Sequence, residues 1–346
     1  MQKERIITFD VMRVLAAFAV ILLHVSSQFW SDSFPSMAWE ARNVYLSLVR
    51  WSIPLFVMIS GALFLDASRP LNIRRLYTKN IFRILCAFLF WSFLFELYAT
   101  GFDAGVKALF FNTLYGPDYL WFLKMLIGLY ILIPILRAVV SDKRTEVYFL
   151  CFSLFTMFLI PMFFQFVGMV NEEWLRFFRN NYVTTELSDV FDFSGYFVLG
   201  HYLTIYPFSS RVRRIIFLLG VFSFICVAGV TSLYANLTSR PEGILYDYAS
   251  PFALFETLAV FLFVQIHFCE ISPTWRQWIL SLSGCSFGIY LVHPLVMTPL
   301  DECLSVNSAT FLPVLWIPLY AVLLFTVSYL IVKVLSYIPY VKKYFL

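Results

Sequence analysis

ITFDVMRVLAAFAVILLHVSSQ, residues 7–28, is an apolar run long enough to cross a bilayer, yet it carries Asp10, Arg13 and His24. At about 100° per residue, Arg13 and His24 fall within roughly 20° of one helix face, and Asp10 lies on the same side. The rise of about 1.5 Å per residue separates them by roughly 16 Å along the axis. An ionisable stripe on a spanning helix is costly unless it faces protein or a wet cavity, so this stretch is read as the core of a functional site. The structural alternative is a buried Asp10–Arg13 pair plus a hydrogen-bonded core histidine.

The rest of the chain is of the same kind. Of its 346 residues 61% are hydrophobic and 13% charged, with 40 Phe and 20 Tyr and a mean hydropathy of +0.79. That composition excludes an ordinary soluble domain, which carries about 25% charged residues. Basic residues sit at helix ends and not on one aromatic-interleaved face, so no nucleic-acid partner is expected. The six cysteines are scattered without CxxC spacing, and no histidines are three or four apart, so no metal site is expected. The first segment lacks a small-residue cleavage site and is read as a retained helix.

Apolar windows of about 20 residues predict an all-α, polytopic membrane protein with about ten spans. They fall near 7–28, 44–66, 80–100, 119–140, 147–169, 190–206, 215–234, 249–269, 278–300 and 312–337. Seventeen lysines and arginines lie in one set of loops and five in the alternate set, with Arg13, Arg50 and Lys124 inside helices. The positive-inside rule then places both termini in the cytoplasm. Between 101 and 118, VKALFFNTLYG is too short to span and is expected to lie in the interface or to re-enter. The loop from about Asn171 to Asp189 mixes charges with aromatics and suits a polar substrate. No repeat or linker divides the chain, which is read as one domain over 1–346.

With that orientation, His24, Arg50, Glu96, Lys124, Asp192, Glu256 and His293 fall at a similar depth on seven helices, in the outer third of the bilayer. Their convergence predicts a hydrated chamber, although snorkelling would also account for Lys124 and Asp192. A histidine of ordinary pKa can accept a proton from a hydroxyl near neutral pH, and a nearby cation can stabilise an oxyanion. His201 and His267 lie towards the other side and are expected to be structural.

Four stretches then resemble a known family. Asp10-Val-Met-Arg13 followed by ten residues and His24, IPLFVMISG (53–61), YLWFLKMLIGLYILIP (119–134) and SFGIYLVHP (286–294) are similar to the acyltransferase-3 family of integral-membrane O-acyltransferases. The length without an appended hydrolase-like module resembles the stand-alone ten-helix branch, which includes the common-antigen O-acetyltransferase and poly-glucosamine O-succinyltransferase types. The resemblance implies transfer of an acyl group, usually acetyl, from cytoplasmic acyl-CoA to a hydroxyl of a surface or lipid-linked glycan. It makes His24 the general base or, less favoured, the acyl-accepting group of a histidine relay, with Arg50 and His293 in support. Arg13, Asp10, Ser60 and Trp121 would hold the donor, and Glu96, Lys124, Asp192 and Glu256 the polar layer on the acceptor side. Acyl-CoA would be a co-substrate and no permanently bound cofactor is implied. The partners are the donor, the glycan and the lipid bilayer of a bacterial inner membrane, and a homo-oligomer is compatible. The competing expectation is a transporter or flippase of lipid-linked sugars, against which no inverted repeat is found.

Overall fold

The computed structural model of the chain describes residues 6–101, 105–170, 173, 188–243, 245–305 and 312–346. Helices account for its regular structure, with no strand among the described residues. Helix α1 is Ile7–Ser27, one residue shorter than its apolar window. Next come α2 (Met37–Leu48) and α3 (Ser52–Phe64), then α4 (Ile73–Thr100), which contains a π-helical turn at Leu76–Ile81. The interface segment forms α5 (Gly105–Tyr115), followed by α6 (Trp121–Val139). Helix α7 runs from Lys143–Ser153 through a π segment, Leu154–Leu159, into Ile160–Val170. The remainder is α8 (Ser188–Ile205), α9 (Ser210–Thr238), α10 (Pro251–His267), α11 (Pro273–Leu304), α12 (Pro313–Leu335) and the short α13 (Pro339–Tyr344). Among the described residues, eight helices are long and apolar enough to cross a membrane, and α10 is a shorter apolar one. The chain is therefore a polytopic all-α membrane protein.

The span expected at 44–66 is two helices and not one. Pro54 has no N–H to give the carbonyl of Arg50, four residues back, so the ladder fails where Arg50 stands. The Ser52 amide turns instead to the Val49 carbonyl, 3.1 Å away. A break inside a span survives only where protein or a cavity surrounds the freed backbone. Arg50 is buried there, its Nε donating to the Leu46 carbonyl (2.9 Å) and Nη1 to the Tyr246 carbonyl (3.0 Å). The far end of α3 is capped by Arg137, whose guanidinium donates to the Phe64 and Asp66 carbonyls at 2.8 and 3.1 Å.

Helix α1 lies at the centre, packed on α2, α3, α10, α11 and α12. Helix α3 meets α8 along a crossing that two glycines allow. A Cβ on Gly61 would stand 1.7 Å from the Phe197 carbonyl oxygen, and one on Gly200 2.0 Å from that of Met58. Backbone cannot give way as a flexible side chain can, so the helices must separate to take even a methyl group. Gly200→Ala is expected to cost about 1–3 kcal/mol, as overpacking does. It would appear as a lowered thermal-unfolding midpoint in detergent, and an unchanged midpoint would show that the crossing opens freely.

Helix α5 buries none of its residues. It is moored to its neighbours by Ser92 Oγ donating to the Thr113 carbonyl (2.7 Å) and Asn112 Nδ2 to Glu96 (2.7 Å). The polar loop from Asn171 to Asp189 lies almost wholly outside the described residues.

Candidate active site

The stripe on α1 has a different partner at each end, and both partners are on α11. At the basic end, Asp10 is fully buried, and its Oδ1 accepts from Arg13 Nη1 at 3.2 Å and from Ser283 Oγ at 2.6 Å. A buried carboxylate has to be satisfied in this way, and here it fixes one guanidinium nitrogen while the Arg13 side chain stays 30% exposed.

At the other end, His24 meets His293. The His293 Nε2 is 3.1 Å from His24 Nδ1, and the ring centroids are 4.8 Å apart. Local sequence explains the pose of His293. Pro294 cannot donate to the Tyr290 carbonyl, and that vacant acceptor takes His293 Nδ1 at 2.8 Å, with the Ile289 carbonyl at 3.2 Å. Carbonyls only accept, so the Nδ1 of His293 carries the proton and its Nε2 the lone pair. His24 Nδ1 must then be the donor, shared between His293 Nε2 and the Val20 carbonyl at 2.9 Å. The basic nitrogen of the pair is therefore His24 Nε2. One ring keeps a free ring nitrogen and the neutral ring beside it fixes its tautomer, an arrangement that could serve general-base chemistry.

A cavity of about 320 Å³ lies beside the stripe, lined by Arg13 at the basic end but by neither His24 nor His293. Its basic end is formed by Arg13 with Lys79 and Arg83 of α4, and among the described residues no Asp or Glu lines it. Lys79 comes from the π turn, a rare irregularity often found at functional sites. Arg83 also bonds the Leu346 carbonyl and lies 5.9 Å from the Phe287 ring centroid. Ser60, Tyr130 and Ser286 line the cavity too, and it extends to Val20 and Tyr290, which flank the histidines.

The charge of Arg50 acts on both His24 and Glu256, and Arg50 does not line the cavity. Its guanidinium lies 4.5 Å from the Tyr246 ring centroid and 5.5 Å from that of Tyr248. Glu256 is 5% exposed, and neither carboxylate oxygen has a hydrogen-bond partner among the described residues. Trp121 stacks on Tyr248 (6.1 Å, 28°), while its neighbour Phe122 faces the cavity.

The other members of the polar layer are placed apart. Glu96 bonds Asn112, and Lys124 is exposed, with Nζ 3.3 Å from the Tyr115 carbonyl. Both turn towards α5. The side chain of Asp192 lies outside the described residues. His201 is buried against Glu146 at 2.8 Å and ties α8 to α7, whereas His267 is exposed beside Phe263. Ser283 and the pair Gln28–Asp301 (2.6 Å) were not singled out by sequence. Asp301 also bonds Tyr320, which links α1, α11 and α12 one turn beyond His24.

A family model described as an acyltransferase domain matches residues 6–333, nearly the whole chain. The chain belongs to the acyltransferase-3 family. Comparison with curated proteins and with solved structures finds no match. Membership of the acyltransferase-3 family supports membrane acyltransferase activity in general and favours it over the transport reading. Base, orienting ring and cationic mouth all fall inside the matched residues.

Proposed function

We propose that the chain moves an acyl group from cytoplasmic acyl-CoA to a hydroxyl of a cell-surface or lipid-linked glycan, in a bacterial inner membrane. The observation that carries this reading is a cavity that three cations share with Val20 and Tyr290, whose carbonyls hold the rings of the His24–His293 pair. Phosphates of the donor would dock on Arg13, Lys79 and Arg83, since cations held at a cavity mouth suit phosphate oxygens. The spacing of roughly 16 Å between Arg13 and His24 suits an extended pantetheine arm. Both termini and the basic mouth face the cytoplasm, in keeping with the bias of lysine and arginine among the loops.

In the reaction, His24 Nε2 takes the proton of the acceptor hydroxyl as its oxygen attacks the thioester carbonyl. The new C–O bond forms, the C–S bond breaks, and the proton passes from His24 to the departing thiolate. The imidazolium formed on the way keeps its Nδ1–H on His293 and Val20, so no second proton needs to move. Arg50, whose charge reaches His24 although it does not line the cavity, would help to stabilise the oxyanion electrostatically. Acetyl or succinyl as the acyl group is consistent with this scheme.

Thiol release from acetyl-CoA or succinyl-CoA by purified protein, in the presence of membrane extract, tests it. Release coupled to acylation of the glycan fraction is expected. No release with any short acyl-CoA would overturn the reading.

A further inference from the structure

Helix α13 buries none of its own residues, yet the two residues that follow it are tied into the bundle. The Phe345 ring stacks on Phe90 of α4, with centroids 4.3 Å apart and planes at 21°. Its carbonyl accepts from Trp91 Nε1 at 2.8 Å. Leu346 is buried, and its carbonyl accepts from Arg83 Nη2. Gly288 of α11 makes room for the leucine, since a Cβ there would already stand 3.0 Å from Leu346 Cδ2. Arg83, Phe90 and Trp91 recur at seven and eight residues, the spacing of one helix face. That face of α4 therefore grips the segment at three points, and one of the three is a cation of the cavity.

Arg83 bonds Leu346 and lines the cavity at the same time, so the two contacts do not compete for its position. Only Nη2 is used by the segment, and Nε and Nη1 have no hydrogen-bond partner among the described residues. The Phe287 ring, 5.9 Å from the guanidinium, lies beside the same group. An arginine side chain has many rotamers, and an anion that meets a loose one must first hold it still. Here the segment does that ordering before any ligand arrives.

We propose that Phe345 and Trp91 are positioning residues for the basic end of the cavity: through residues 339–346 they hold Arg83 at the lining and so raise affinity for a phosphate-bearing ligand. The identity of that ligand rests on the donor reading above. The inference goes beyond it by giving a role to a segment that lies outside both the cavity and the residues matched by the family model, 6–333.

Calorimetric titration of the detergent-purified chain with acetyl-CoA and with inorganic pyrophosphate tests this. Phe345→Ala is expected to bind acetyl-CoA about 2–12-fold more weakly than wild type, the usual cost of ordering one long side chain on binding. Should that variant fold poorly, Trp91→Phe serves in its place, because it keeps a ring and loses only the N–H that holds the Phe345 carbonyl. In an Arg83→Ala background either change should have no further effect, since both act through Arg83. An equal loss in the two backgrounds would mean that the segment supports the fold at large, and the proposal would fall. It would fall as well if affinity were unchanged, or if it rose, which would make the segment a competitor of the ligand. A wild type that binds pyrophosphate but not acetyl-CoA, with the same dependence on Phe345, would remove the donor reading and leave the positioning role standing. One that binds neither would remove both.

Discussion

His24→Ala is expected to lower acyl transfer by about 10²–10⁴-fold, the usual contribution of a general base, while the protein still purifies as a folded monodisperse species. The reason is positional. His24 Nε2 is the nitrogen that the hydrogen bonds leave basic, and no other imidazole of the chain is placed to replace it. His293 donates into its own helix through Nδ1 and presents Nε2 to His24. His201 is committed to Glu146, and His267 is exposed at the end of α10. His293→Ala should also slow transfer, by losing the correct tautomer and pose of His24, yet leave donor affinity within a few-fold of wild type. Removing both should cost little more than removing His24, because residues that act as one unit are not additive. Steady-state rates with donor titrations for the three variants measure this. Activity retained in His24→Ala would end the base assignment, and additive losses would separate the two rings.

The second large effect is expected at Arg13. Arg13→Ala should weaken acyl-CoA binding by about 10–100-fold, as expected for losing a charge-assisted hydrogen bond worth roughly 1.5–3 kcal/mol. It also leaves Asp10 with one cation fewer in a fully buried position, so part of the loss will be structural. Asp10→Asn paired with Arg13→Ala distinguishes the two effects. The pair removes the buried charge together with its partner, so stability should recover while donor affinity does not. Isothermal calorimetry and thermal unfolding on the same samples read the two quantities. Donor affinity restored in the double variant would mean that Arg13 serves Asp10 and not the donor.

What the sequence disclosed follows from what linear spacing can carry. Helix α1 was legible almost to the residue, because apolar length and an ionisable stripe are properties of consecutive residues. The shared depth of His24 and His293 was legible too, since depth is counted along a helix. Azimuth across different helices was not. Glu96 and Lys124 have the right depth but turn towards α5, and no periodicity of their own helices reveals which neighbour each face meets. Trp121 and Phe122 differ by one step of 100°, which places one on Tyr248 and the other in the cavity. Ser283 is an unremarked hydroxyl 273 positions from Asp10, and nothing local marks it. Two signals were there to be read. Pro54 and Pro294 each free a carbonyl four residues earlier, which announces the break at Arg50 and the anchored pose of His293.

Asp10–Ser283 and His24–His293 join the same two helices at both ends. The intervals are fourteen residues on α1 and ten on α11, so the two contacts act as pins through a pair of parallel rails. Neither rail can slide or roll without breaking a pin, and the separation between mouth and base is thereby written into helix backbone and not into loops. The site carries its own ruler, and a single residue inserted in α1 between Arg13 and His24 would advance it by about 1.5 Å and turn it by about 100°.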